Sequence, residues 1–397
     1  MSTTALDREE IRPFSFGFSD ADLEDLRTRI LATRWPDRET VGDRSQGTPL
    51  AAIQHLAEYW AAQYDWRTAE KRLQSLPHFL TEVEHLDIHF IHVRSKHEDA
   101  LPLILTHGWP GSVIQQMKII DPLVNPTAYG ADAADAFHVV MPSLPGYGFS
   151  GKPTTAGWGP ERIAQAWAEV MKRLGYTRFA AQGGDWGAII TELMGVQAPP
   201  GLVGLHTNMA GAVPPDIDLA LATGRPVPTG TQLTEAEQAA VDQLTSMYAH
   251  VQYAYTMASL PQSLMALGDS PVGLAAFMLD PGLELIPHAF GGPSDGLTRD
   301  EVLDNITFYW LTNTAISAAR LYAENKISFF GAKGIELPVA VSVFPNELYS
   351  PPRSWVERAY PNLIHYNQLA RGGHFPAWEQ PDLFVEEIRA GFRPLRK

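Results

Sequence analysis

The sequence predicts an α/β chain with a mostly parallel central sheet, on three observations. Short apolar runs recur at Leu101–Thr106, Phe137–Pro142, Arg178–Gln182, Val339–Phe344 and Leu363–Asn367, with helical stretches between several of them. Strands alternating with helices at this spacing build crossover units and a parallel sheet, and buried parallel strands read as continuous apolar runs. The alternation stops between about residue 213 and residue 325, which predicts a helical insertion. Before about residue 95 the texture differs again, which predicts a separate N-terminal region.

Each element has its local reason. Ser19–Ile30 opens on a good N-cap, and acids crowd its first turn, where they complement the helix dipole. Leu23, Leu26 and Ile30 give that helix one apolar stripe. A second helix is expected from Pro49 to about Tyr64, with Ile53, Leu56 and Trp60 on one face, and Glu82–Val93 reads as a single strand. In the core, helices are expected over Pro160–Leu174 and Ala188–Val196. The insertion begins in the Pro/Gly-rich stretches Val213–Asp216 and Gly224–Gly230 and contains a capping box at Thr298-Arg-Asp-Glu301. The last helix covers about Pro381–Phe392. The expected division is 1–95, 96–212, 213–325 and 326–397.

Composition bounds the function. A soft prior of about 150 residues per domain gives the 397 residues two or three domains, or one large domain with insertions. A 45% hydrophobic content supplies a large core, and 30 basic against 45 acidic residues leave a net charge of −15, which repels phosphate backbones. The absence of cysteine removes disulfides, thiolate nucleophiles and thiolate-bound metals. No window reaches the roughly 18–20 apolar residues of a membrane span, and the start, Met1–Glu10, carries neither a basic nor an apolar signal region. The expectation is a cytoplasmic protein that binds neither nucleic acid nor membrane and needs no cofactor. His85, His89 and His92 have a spacing that invites a metal, but in one strand residue 92 would point away from 85 and 89.

The chemistry starts at Gly183-Gly-Asp-Trp-Gly187, between a predicted strand and a predicted helix. A small-x-nucleophile-x-small corner at that junction is the nucleophile elbow of α/β-hydrolases. Its middle residue is Asp185, and a carboxylate displaces at saturated carbon and leaves an alkyl ester on the enzyme. The bland alternative is an Asp-containing turn. A second loop, His107-Gly-Trp-Pro, follows an earlier strand, where this fold completes an oxyanion hole. The expected donors are the backbone N–H groups of Trp109 and Trp186. Glu347 and His374 follow two later strands, so the order is nucleophile, acid, histidine, each just past a strand end where open α/β sheets gather ligands. The expected architecture is therefore an α/β-hydrolase fold with a helical lid insertion and an N-terminal wrapping region.

Beyond these residues the chain resembles the microsomal-type epoxide hydrolases. The resemblance rests on Thr33-Arg-Trp-Pro-Asp37, Tyr59-Trp60, Tyr64-Asp-Trp-Arg67, Ile88–Arg94, His107–Gly111, Pro142–Ser150, Tyr309–Thr314, Phe344–Leu348 and Gly372–Phe375, and spans nearly the whole chain. It implies hydrolysis of an epoxide by water, with Asp185 as nucleophile, His374 as base oriented by Glu347, and two lid tyrosines as acids. Tyr322, in Ser317–Asn325, matches the second tyrosine. The first should stand eight residues before a proline, which picks Tyr253 before Pro261, with Tyr248 and Tyr255 nearby. Glu347 replaces the commoner aspartate, and Glu357 and Asp382 are the substitutes. Two other readings stay open: a haloalkane dehalogenase on the same scaffold, which also places a Trp after the nucleophile, and a non-catalytic binding protein. A serine esterase has no serine at the elbow.

Overall fold

In the computed structural model nine strands form one sheet in the order β1-β2-β3-β5-β4-β6-β7-β8-β9. The structure describes residues 10–43, 45–228, 232–279 and 297–396. The N-terminal stretch read above for signal features, apart from Glu10, and Thr229-Gly230 of the Pro/Gly-rich run lie outside the described residues. The strands are β1 (Arg12–Pro13), β2 (His78–Val83), β3 (Leu86–Val93), β4 (Leu101–Thr106), β5 (Phe137–Pro142), β6 (Phe179–Gly183), β7 (Leu202–Thr207), β8 (Val339–Val343) and β9 (Leu363–Gln368). From β5 to β9 every neighbouring pair is parallel. The first three strands join the same sheet antiparallel, through β3 on β5.

The helices before β2 are α1 (Asp20–Leu31), α2 (Leu50–Ala62) and α3 (Trp66–Gln74). Between β4 and β7 lie α4 (Met117–Val124), α5 (Pro160–Arg173) and α6 (Trp186–Gln197). The insertion contains, among the described residues, α7 (Pro215–Ala222), α8 (Glu235–His250), α9 (Gln252–Ser259), α10 (Pro271–Met278), α11 (Arg299–Leu311) and α12 (Ala315–Glu324). The chain closes with α13 (Arg353–Ala359), α14 (Pro376–Glu379) and α15 (Pro381–Phe392). Capping boxes start three of these helices: Ser19 with Asp22 on α1, Thr234 with Glu237 on α8, and Thr298 with Glu301 on α11. Each satisfies two backbone donors that a helix start leaves open. Among the described residues no helix is long and apolar enough to cross a membrane.

The structure corrects two expectations and adds two elements. Glu82–Val93 is not one strand: the chain reverses at Glu84-His85, both at positive φ, so that β2 and β3 pair as a hairpin. Neither residue is the Gly or Asn that such a turn favours, so the pairing of the flanking strands imposes a backbone the turn residues would not choose. His85 therefore sits exposed on the turn while His89 is fully buried in β3, and the strand-face argument for the three histidines does not apply. Strand β7 and helix α3 were not anticipated, because Gly204 and His206 interrupt the apolar run of the first and α3 is short and mostly polar.

The N-terminal helices pack onto the insertion. Trp60 Nε1 donates to Thr307 Oγ1 at 3.0 Å, Tyr59 to Asp300 at 2.6 Å and Tyr64 to Asp304 at 2.8 Å, and Arg72 pairs with the same Asp304 at 2.7 Å. A neutral bond such as that of Trp60 contributes about 0.5–1.5 kcal/mol net. Burial pushes the Asp304 carboxyl up to about 6 even against Tyr64 and Arg72.

Candidate active site

The elbow is a strained corner held by close packing. Asp185 links β6 to α6 with φ 52° and ψ −129°, a conformation that costs a non-glycine residue about 1–3 kcal/mol. The surroundings leave no alternative. A Cβ on Gly183 would fall 2.0 Å from the Gly187 carbonyl oxygen, and one on Gly108 would fall 2.0 Å from Asp185 Oδ1. Asp185 is thus pressed between the end of β6 and the loop after β4, and only glycines permit that approach.

That loop supplies a donor. The Trp109 N–H donates to Asp185 Oδ1 at 2.7 Å. Trp186 is the first residue of α6, so its N–H is among the donors that a helix start leaves without intrahelical partners. Helix α11 holds the loop in place: Asn305 Nδ2 donates to the Pro110 carbonyl at 2.6 Å, Tyr309 donates to the Gly111 carbonyl at 2.7 Å, and Ser112 donates to Asn305 Oδ1 at 2.7 Å. The Tyr309–Thr314 segment thus earns part of its place by fixing the loop.

Glu347 and His374 converge because β8 and β9 are parallel neighbours. The two loops beyond them are joined by a bridge between Asn346 and Gly373 and by Asn346 N–H donating to the Gly372 carbonyl at 3.2 Å. His374 Nδ1 then donates to Glu347 Oε1 at 2.5 Å, and the Leu348 N–H donates to the same oxygen at 2.7 Å. His374 Nε2 lies 3.5 Å from Asp185 Oδ2. Burial works against a charged imidazole here, but the Glu347 charge and the bonds to Asp185 and Glu347 outweigh it, and His374 is held well above its ordinary value. Glu357 is instead engaged with Arg353 on the surface at 2.7 Å, and Asp382 is exposed at the start of α15.

Helices α9 and α12 bring two tyrosines over the corner. Tyr253, on α9, stacks on Trp109 with ring centroids 4.9 Å apart, and Tyr322, on α12, meets Trp186 edge-to-face at 4.7 Å. Their two rings are 6.3 Å apart. Burial, then the neighbouring Tyr253 and Asp185, hold the Tyr322 phenol well above its ordinary value, so it keeps its proton. Tyr248 packs instead against Phe330 at 6.1 Å, and Tyr255 is 47% exposed. Among the described residues no cluster of His, Asp and Glu is arranged to hold a metal.

Four carboxamides near the site escaped the sequence reading. Gln115, Gln116, Gln182 and Asn208 are buried and line one small cavity with Asp185 and His374. Gln182 carried a signal, being the polar residue in the apolar run that ends at the elbow. Asn208 had one only for a reader who had recognised β7.

Comparison with known proteins gives the geometry a setting. Residues 11–116 match the family model described as epoxide hydrolase N terminus, and residues 102–260 match the alpha/beta hydrolase fold. A Stigmatella aurantiaca protein provisionally named an epoxide hydrolase is 50% identical, with 97% of this chain and 86% of that protein covered. Epoxide hydrolase 1 of Oryctolagus cuniculus is 34% identical over 96% of this chain and 89% of its own. The crystal structure of juvenile hormone epoxide hydrolase from Bombyx mori superposes with a TM-score of 0.83 at 29% identity, covering 98% of this chain and 96% of that one. The Aspergillus niger epoxide hydrolase gives 0.81 at 28% identity, with 98% and 97% covered.

Proposed function

The chain belongs to the epoxide hydrolase family, and from that premise we propose that Asp185, His374 and Glu347 open an epoxide to a vicinal diol through an ester on Asp185. The observation that carries the assignment is the joint placement of Asp185 against the Trp109 N–H at 2.7 Å and His374 at 3.5 Å. In the first step the carboxylate oxygen not held by Trp109 bonds to an epoxide carbon. The carbon–oxygen bond of the ring breaks, and the leaving oxygen takes a proton from Tyr253 or Tyr322. That proton matters because a bare alkoxide is a poor leaving group.

Forming the ester removes one of the two carboxylate charges that hold His374 high, so its proton is released toward the tyrosinate. In the second step a water passes a proton to His374 Nε2 while its oxygen bonds to Asp185 Cγ. The N–H groups of Trp109 and Trp186 hold the oxyanion, an interaction worth about 2.7–4 kcal/mol per donor. Collapse breaks the bond from Cγ to the substrate oxygen, and the diol leaves with the proton from His374. The new carboxyl group then gives its own proton to His374 and restores the resting pair.

Trp109, Trp186, Tyr253 and Tyr322, with Phe277 and Phe329 behind them, suit an apolar or aryl epoxide. We keep the division into a wrapping region 1–95, core halves 96–212 and 326–397, and a lid 213–325. Family membership leaves the dehalogenase and binding-protein readings without support. Single turnover in heavy-oxygen water tests the mechanism: the first diol should carry an oxygen from Asp185, and solvent oxygen in that first diol would overturn it.

A further inference from the structure

The cavity that reaches Asp185 and His374 from among the four carboxamides touches none of Trp109, Trp186, Tyr253 and Tyr322. Its volume is about 20 Å³, enough for one water, which needs at least about 10–15 Å³. Gln115 Oε1, Gln116 Oε1, Gln182 Oε1 and Asn208 Nδ2 have no hydrogen-bond partner within the protein, although all four residues are more than nine-tenths buried. Leaving one buried polar group unpaired costs about 1–3 kcal/mol, so four unpaired amide atoms on residues that line one cavity point to a small polar occupant. Three carbonyl oxygens beside a carboxylate turn away an anion, and the volume turns away anything organic. A water suits the site: it accepts from Asn208 Nδ2, donates one proton to one of these carbonyl oxygens and keeps the other for His374 Nε2, which has no other hydrogen-bond partner.

The surroundings are built to keep these amides in place. Gln182 Nε2 donates to Asn208 Oδ1 at 3.1 Å, which orients both. A Cβ on Gly184 would lie 2.6 Å from Asn208 Nδ2, and one on Gly111 would lie 1.5 Å from Gln115 Oε1. Once the ester has formed, the alkyl group fills the aromatic side of Asp185 and blocks approach from there. We propose that this chamber holds and aims the water that hydrolyses the Asp185 ester, with Gln182 and Asn208 as its positioning residues. The inference rests on the two-step reading above.

The test separates the two steps. Gln182→Met and Asn208→Leu, singly and together, are mixed with styrene oxide, or with the fastest of a panel of styrene-type, aliphatic and bulky epoxides. Alkylation, followed by tryptophan fluorescence, should stay within about twofold of wild type, while ester hydrolysis should slow about ten- to a hundred-fold, the cost of a reactant misplaced by about 1 Å. The alkyl-enzyme should then accumulate, visible in the intact mass. Gln182→Glu, which keeps an acceptor at that place, should retain more of the hydrolysis rate than Gln182→Met, and it serves if the apolar variants fail to fold. Wild-type hydrolysis in the Met and Leu variants, or an equal loss in both steps, overturns the chamber. His374→Gln in parallel isolates the premise: if it traps the adduct while the chamber variants hydrolyse normally, only the chamber falls, and if no adduct forms in any variant, the two-step reading falls with it.

Discussion

Asp185 has two unlike sides. Toward the lid it faces rings: Trp109 under Tyr253, Trp186 against Tyr322, and Phe277 and Phe329 beyond. Toward α14 and β7 it faces amides and an imidazole. On the proposed mechanism the first side excludes water and holds the epoxide beside two phenols. The second can hold water and take its proton. A two-step ester mechanism needs both environments at one carboxylate, and the elbow provides them by pushing a single side chain out between two layers.

The variants with the largest expected effect remove what the two sides share. Asp185→Ala should lower turnover by at least about 10³-fold and give no adduct with any substrate, read by diol formation and intact mass. Next, His374→Gln breaks the polar side alone. Ester hydrolysis should slow by about 10²–10⁴-fold, the usual worth of a general base, with alkylation much less affected and the alkyl-enzyme persisting; equal slowing of the two steps would count against the assignment. Tyr322→Phe breaks the aromatic side alone. With Tyr253 still present, alkylation should fall toward the low end of general-acid effects, about 10²-fold, and ester hydrolysis should hardly change in a burst experiment.

The smallest effect is on stability, and its sign separates the histidines. The folded state raises His374 above its ordinary 6.5, so its contribution is full below that pH and is lost as pH rises through the folded value. His107 and His206 behave oppositely: burial pushes them down to about 4 and about 3. Below pH 6.5 the unfolded chain takes up protons that these sites refuse, so stability falls as pH drops toward those values, by about 1.4 kcal/mol per unit and residue. Denaturant unfolding across pH should show His374→Gln flattening the alkaline loss while leaving the acid loss in place.

Much of the site was legible because it is local. A strand running into Gly183-Gly-Asp-Trp-Gly187 specifies its corner within five residues, and His107–Gly111 and Gly372–Phe375 carry their turn chemistry in the same way. The hairpin at Glu84-His85 was not legible, since its turn residues are forced by the strands that flank them. Nor was β7, and with it went Asn208. Polar residues inside an apolar run look like defects until the neighbouring strand shows what they face.

By itself the sequence determined which groups stand at the strand ends and in what order: an aspartate at an elbow, a carboxylate and a histidine after later strands, and no thiol anywhere. These follow from residue identity and short spacing. Which groups meet was decided by the tertiary structure. The parallel register of β8 and β9 sets His374 beside Glu347 at 2.5 Å, the packing of α9 puts Tyr253 on Trp109 while Tyr255 stays in solvent, and β6 lying next to β7 turns Gln182 and Asn208 toward one water-sized space. Such contacts join residues tens to hundreds of positions apart, and no local pattern encodes them.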